Sequence, residues 1–295
     1  MPRNTGSPRR ARVALATCSQ FPDLAEDGPA MLDALAGRGL EATPQIWDEP
    51  ETDWDRFDLV VVRATWDYTE RRAEFLDWAR RVPRLANPYG VIEWNSDKTY
   101  LRDLCAAGIP TVPTQWCEPG SPVVLPATEI VVKPSVGAGA RGAGRYGPED
   151  REAAAAHVER LGAAGFTVMV QPYLAAIESA GERGLVYLGG RFSHSIHKPT
   201  LLANRGAYVE GTLTWELVSA TTPTAAERAL AEDVLAATPA GRENLLYARV
   251  DLVPGGDGTP LLIELEVTEP CLYLGRGPGS PEAFADAVEG WLARH

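Results

Sequence analysis

The stretch Tyr247–Tyr273, YARVDLVPGGDGTPLLIELEVTEPCLY, reads as two strands joined by a turn of Gly, Pro and Asp. Side chains two residues apart on a strand point to the same face. Arg249 and Asp251 therefore share one face of the first strand, and Glu264 and Glu266 share one face of the second. Val250, Leu252, Ile263 and Leu265 look the other way. Three carboxylates and a guanidinium on one sheet face are costly unless something cationic neutralises the acids. Hard oxygen donors of this kind suit Mg²⁺, whose shell is usually completed by substrate phosphates. The pattern equally fits an amphipathic hairpin with a solvated acidic face, and the hairpin alone does not choose.

Upstream segments offer the phosphates a partner. EIVVK (Glu129–Lys133) reads as a strand leading through Pro134 into the loop SVGAGARGAGRYGP. Gly137, Gly139 and Gly142 match GxGxxG literally, but that fingerprint opens directly into a helix. Here Gly144, Gly147 and Pro148 prolong the loop, and no GK[ST] follows. What remains is a long flexible flap starting at Ser135, whose backbone N–H groups can meet phosphate oxygens together with Lys133, Arg141 and Arg145; a plain surface loop is the alternative. A helix is expected over Asp97–Ala107, capped by Asn95 or Ser96 and stopped by Gly108 and Pro110. Lys98 in its first turn opposes the helix dipole unless an anion sits there too. Phe166–Tyr173 reads as a strand whose Pro172 favours an edge or an end. The following Tyr173 and Leu174, with Gln171, expose main-chain groups that an adenine edge can use.

In the first third, Arg12–Thr17, Glu41–Trp47 and Leu59–Arg63 read as strands alternating with helices over Pro29–Leu40 and Glu70–Val82. That alternation implies βαβ units around a parallel sheet. Ligands bind beyond the carboxyl ends of such strands, which makes Arg63, Trp66, Asp67 and Tyr68 candidates to touch a small polar substrate. The alternative is loop packing with an Arg63–Asp67 pair. Further on, Gly184–Leu188 and Arg191–His197 form a hairpin across Gly189 and Gly190. Ser193, Ser195 and His197 share one face of its second strand and His194 the other, so a two-histidine metal site is not expected.

Composition excludes several classes. A formal net charge of −12 argues against general nucleic-acid binding. No apolar run spans a bilayer, and the basic start MPRNTGSPRRAR lacks the apolar core of a secretory signal. The four cysteines form no CxxC pair, so free thiols in a reducing cytoplasm are expected.

Taken in order, Lys98 in WNSDK, Lys133 in VVKP, the SVGAGARGAG flap, VMVQPYL, GERGLVYL, YARVDLV and LLIELEV resemble the ATP-grasp superfamily over nearly the whole chain. The resemblance implies an α/β (α+β) ATP-grasp fold. Its parts would be a disordered basic tail at 1–11, a parallel α/β domain at 12–93, a linking helical region at 94–118, a mobile lid at 119–174 and an antiparallel-sheet domain at 175–295. It implies ATP phosphates at Lys98, Lys133, Ser135, Gly137, Gly139 and Gly142, and adenine at Gln171, Tyr173 and Leu174. Glu182, or else Glu178, would hold the ribose. Asp251, Glu264 and Glu266 would bind two Mg²⁺, with Mn²⁺ as a substitute, and Arg249 would steady the transferring phosphoryl group. Many members carry Asn where this chain has Glu266. RATWDY, GGRFSHSIHKP and ELEVTEPCLYL narrow the resemblance to glutathione-synthetase-like ligases, and among these to cyclo-ligases that act on O-ureido-D-serine. That implies an acyl-phosphate mechanism on a small amino-acid-like substrate, with no nucleic-acid or membrane partner and a homodimer left open. His194, Ser195, His197 and Lys198 would then stand near the reacting atoms.

Overall fold

The computed structural model describes residues 9–199 and 215–295. Most of the basic tail therefore lies outside the described residues; Arg9 at its end reaches Asp58 at 3.4 Å.

Strands β1 (Arg12–Thr17), β2 (Glu41–Ile46), β3 (Leu59–Ala64) and β4 (Leu85–Ala86) form a parallel sheet in the order β2-β1-β3-β4. The unbroken apolar run of β3 suits a strand covered on both faces. One face packs against α1 (Gly28–Gly37) and α8 (Ser280–Arg294), whose Met31, Leu35, Phe284, Val288 and Trp291 meet Val13, Leu15 and Leu59. The other packs against α2 (Arg72–Arg81) through Phe75, Leu76 and Trp78. The last helix also packs on Val186, Leu188 and Tyr247 of the C-terminal antiparallel sheet, so it lies between that sheet and the first.

A second sheet is antiparallel and ordered β5-β8-β6-β7, from β5 (Gln115–Cys117), β6 (Ile130–Pro134), β7 (Gly144–Tyr146) and β8 (Val168–Pro172). Helix α5 (Arg151–Ala163) covers it with Ala154, Val158 and Leu161. Two expectations change here. The glycine-rich stretch is not loop throughout, because Gly144–Tyr146 returns as a strand beside β6. Only glycine fits at its start, where a Cβ would lie 2.8 Å from the Tyr146 ring. Residues 115–117, expected in a linking region, pair with β8 instead.

The third sheet follows the one-turn helix α6 (Ile177–Ala180). It contains β9 (Glu182–Leu188), β10 (Arg191–Lys198), β11 (Ser219–Thr221), β12 (Tyr247–Pro254) and β13 (Pro260–Glu266), ordered β11-β10-β9-β12-β13. Gly189 and Gly190 turn the β9–β10 hairpin at φ +56° and +73°, the left-handed pair such a tight turn demands. Leu185, Tyr187, Ala248, Val250, Leu252 and Leu265 face α7 (Ala225–Ala236) in the largest core.

The helix expected over 97–107 is α4 (Tyr100–Ala106), and a separate helix that sequence reading did not expect, α3 (Tyr89–Asn95), precedes it. Asn95 does not cap. Its side chain is committed to the free edge of β13, donating to Leu265 O at 2.7 Å and accepting from Val267 N at 3.0 Å. The Tyr100 hydroxyl donates to Leu265 O and accepts from Leu265 N, both at 2.8 Å. These side chains satisfy an edge that would otherwise present unpaired backbone groups.

Candidate active site

The three sheets and the glycine-rich loop enclose a cavity of about 470 Å³. Its floor is the polar face of β12 and β13, where Arg249 stands opposite Glu266 and Asp251 opposite Glu264. Directly paired residues of an antiparallel ladder share a face, so the period-two pattern of the hairpin does converge its acids. A bulge between Asp251 and Leu252 shifts the register only beyond that pair.

Each acid has taken a cation. Arg249 Nε lies 2.9 Å from Asp251 Oδ1 and Nη2 lies 2.9 Å from Oδ2. Arg249 also donates to Glu266. Lys198 Nζ stands 2.7 Å from Asp251 Oδ2 and pairs with Glu182. Lys98 Nζ sits 3.0 Å from Glu264 Oε1 and 2.5 Å from Gly137 O, tying the glycine-rich loop to β13. Lys133 lines the cavity without a carboxylate partner among the described residues, and burial pulls its pKa below the usual lysine value.

Asp251 is fully buried, and the flanking Arg249 and Lys198 hold its carboxyl at about 2 against the penalty of desolvation. It lies under the cavity wall, not in it. Glu264 and Glu266 do line the cavity. Burial, with Asp251 and Glu264 beside it, pushes Glu266 up to about 7 even though Arg249 opposes the shift. Among the described residues, no three His, Cys, Asp or Glu side chains converge as a closed metal cage, because these acids turn toward ammonium and guanidinium groups. The donors nevertheless fit a hard divalent cation: two cavity-facing carboxylates, one of them short of positive charge.

At one end Gln171, Tyr173, Leu174 and Ile177 form the wall. Arg145, read from the sequence as a phosphate ligand, instead lies 3.4 Å over the Tyr173 ring and pairs with Glu129 at 2.7 Å and Glu178 at 3.0 Å. Of the two acids read as ribose candidates, Glu178 is exposed and does not line the cavity, whereas Glu182 does. Gly137, Gly139 and Arg141 face the cavity, while Ser135 and Gly142 do not. Ser135 contributes a carbonyl that accepts from Lys98 N at 2.8 Å.

The other end corrects several expectations. Trp66 and Tyr68 line the cavity, but Arg63 and Asp67 do not. Arg63 is buried, donates to Pro270 O and stacks 4.6 Å from the Tyr247 ring centroid. Asp67 accepts from Trp47 Nε1 at 2.9 Å and from Arg71 at 2.7 Å. In β10 a register shift between Phe192 and His194 takes Ser193 out of the regular alternation. His194 is bound 2.9 Å from Leu272 O, Ser195 donates to Thr221 O at 2.7 Å, and His197 donates to Ala180 O at 3.1 Å. All three are bound to backbone carbonyls, of the segment after β13, of β11 and of α6, and of that group only Lys198 reaches the cavity. Sequence reading passed over Gln20, Phe21, Asn95, Glu269, Cys271 and Tyr273, which also line it. The available signal for Glu269 and Tyr273 was their place just beyond the acid-bearing strand, in VTEPCLY.

Comparison with known proteins agrees with this architecture. A family model described as D-cycloserine synthetase DcsG, N-terminal domain, matches residues 13–87. The cycloserine biosynthesis protein DcsG of Streptomyces lavendulae is 36% identical over 292 residues, covering 94% of this chain and 97% of the relative. The crystal structure of D-cycloserine synthetase DcsG superposes with a TM-score of 0.87 at 35% identity, covering 96% of this chain and 100% of the other. D-alanine–D-alanine ligase from Bacillus anthracis complexed with ATP has a TM-score of 0.66 at 16% identity, covering 97% of both chains, a likeness of fold alone. On a relative of that identity spanning almost the full length, and on a fold shared from end to end, the chain belongs to the DcsG family of ATP-grasp ligases.

Proposed function

We propose that this ligase spends ATP to close O-ureido-D-serine into D-cycloserine. The observation that carries the reading is one cavity in which Lys98, Lys133 and Arg249 face Glu264 and Glu266, beneath a glycine-rich loop, in a chain 36% identical to a cycloserine biosynthesis protein. Its partners are small molecules, and its place is the cytoplasm, where ATP is available.

A carboxylate is a poor electrophile, because its leaving group would be oxide. Lys98 and Lys133 hold the β- and γ-phosphates, and Arg249 neutralises charge as the γ-phosphoryl group passes to the substrate carboxylate. Such transfer is governed by positioning and electrostatic stabilisation. Glu264 and Glu266 would hold Mg²⁺, two ions with Asp251 behind them, or Mn²⁺ in its place; bound there, the metal neutralises the phosphate oxygens. Gln171, Tyr173 and Leu174 accommodate adenine and Glu182 the ribose.

ADP leaves, and the substrate's own oxyamine nitrogen attacks the acyl carbon. The new C–N bond closes a five-membered ring as phosphate departs and the nitrogen loses its proton. Water then removes the carbamoyl group as carbamic acid, which gives CO₂ and ammonia. Nucleophile and acyl phosphate in one molecule gain the advantage of proximity. Closure of a lid at 119–174 keeps water from the acyl phosphate.

The test is ADP release from Mg-ATP and O-ureido-D-serine, with and without a second amine. ADP and D-cycloserine in equal amounts without added amine support the reading. ADP only with a separate amine, or none at all, overturns it.

A further inference from the structure

We infer that Glu269 binds the α-ammonium group of the substrate and so selects for an amino acid; the inference rests on the function proposed above.

Among the described residues, five carboxylates gather around the cavity. Asp251, Glu264, Glu266 and Glu182 each hold a lysine or arginine of this chain. Glu269 does not: it is 9% exposed, faces the cavity, and has no ion pair among the described residues. The Tyr68 hydroxyl, itself buried and cavity-lining, is a hydrogen-bonding neighbour, and Lys98, whose ion pair is with Glu264, attracts Glu269 without pairing with it. A carboxylate taken out of water without a counter-ion is costly. Burial and the nearby Glu266 push Glu269 up to about 8, the mark of a site short of positive charge.

The charge balance of the cavity is thus uneven in two places. Among the described residues, Lys133 is a cavity cation with no carboxylate in ion-pair contact and Glu269 a cavity carboxylate with no cation in ion-pair contact. A phosphate answers the first and an ammonium group answers the second. The wall beside Glu269 suits a cation: Trp66 bonds to its backbone and Phe21 packs 4.8 Å from Trp66, both lining the cavity, and aromatic faces attract ammonium.

The segment carrying Glu269 is also fixed before any ligand arrives. Trp66 Nε1 donates to Glu269 O at 3.0 Å, and Arg63 donates to Pro270 O. The buried Asp27 accepts from Leu272 N, Tyr273 N and Leu274 N at 2.7, 3.0 and 2.7 Å. A recognition carboxylate held this way loses little freedom on binding. The RATWDY residues therefore serve the substrate end partly at one remove: Arg63 and Trp66 hold the backbone that presents Glu269.

The experiment compares O-ureido-D-serine with 3-(ureidooxy)propanoate, which lacks the α-amino group, using the full chain and Mg-ATP. The wild type should prefer the amino substrate by roughly 30-fold or more in kcat/KM, the scale of a buried charge pair. Glu269→Gln should raise the KM for that substrate by a similar factor, leave the KM for ATP unchanged, and bring the two compounds close to parity. Equal use of both compounds by the wild type overturns the inference whatever the variant does, so it does not depend on the variant folding. So does an E269Q enzyme that keeps the preference and loses only kcat, or only needs more Mg²⁺. ADP release from neither compound would sink the proposed function itself, and this inference with it.

Discussion

Lys198 on β10 reaches across the intervening strand β9 to stand 2.7 Å from Asp251 Oδ2 on β12. With Arg249 on the other side, Asp251 becomes the internal counter-ion of two cations and the anchor of the site's floor.

Removing that anchor should cost stability. Asp251→Asn leaves Lys198 and Arg249 under-compensated, and losing one member of a buried charge cluster typically costs about 3–5 kcal/mol. The cause also sets a pH dependence. The folded-state pKa of Asp251 is depressed from 3.8 to about 2, so its contribution is full above about pH 4 and is lost as the pH falls through 2. Urea unfolding should therefore show the gap between wild type and D251N shrinking across that window. A gap independent of pH would contradict this.

Glu266 behaves in the opposite sense. Its pKa is raised from 4.5 to about 7, so the folded, ligand-free protein holds this proton where the unfolded chain has lost it. Stability then falls as the pH rises from about 4.5 through 7. About a quarter of the side chain is exposed, which screens the effect to on the order of 1–2 kcal/mol. Glu266→Gln should be more stable than wild type at pH 8 by that amount in the absence of Mg²⁺, with less difference at pH 4. Thermal melts at the two pH values check the sign.

How much of this was legible in the sequence follows from distance along the chain. Arg249/Asp251 and Glu264/Glu266 were readable because strand alternation is local, and the register then placed the two pairs opposite each other. The Gly189–Gly190 turn was readable for the same reason. Asn95 was not: it had the chemistry of a helix cap, but its partners are 170 and 172 residues away. His194, Ser195 and His197 looked chemical as a cluster, yet a bulge and three backbone carbonyls absorb them. Glu269 was passed over because its meaning lies in what it lacks, and a missing counter-ion is visible only when every neighbour is placed.

Asn95→Ala tests the grip on β13. It orphans Leu265 O and Val267 N, although Tyr100 still contacts the first. A buried backbone group left unpaired costs about 1–3 kcal/mol, so chemical denaturation should report a loss of that size. Because β13 carries Glu264 and Glu266, the KM for ATP should rise as well. An unchanged denaturation midpoint would contradict the assigned role.

Lys133→Gln separates function from stability. The partly buried ammonium has no carboxylate in ion-pair contact among the described residues, so the fold does not depend on its charge. The unfolding midpoint should hold or rise. ADP formation should fall by about 100-fold, the scale of losing one preorganised charge at a developing transition state. A variant that is destabilised yet active would reverse the assignment.

Whether the β12–β13 hairpin is a Mg-ATP platform is decided by Glu264→Gln. The readout is steady-state ADP release with O-ureido-D-serine and saturating Mg-ATP, beside an unfolding curve of the same preparation. Turnover should drop by about 100-fold or more, while a single cooperative unfolding transition, lowered by loss of the Lys98 pair, shows that the variant is still folded under the assay conditions. Turnover within a few-fold of wild type would mean that the hairpin does not hold Mg-ATP.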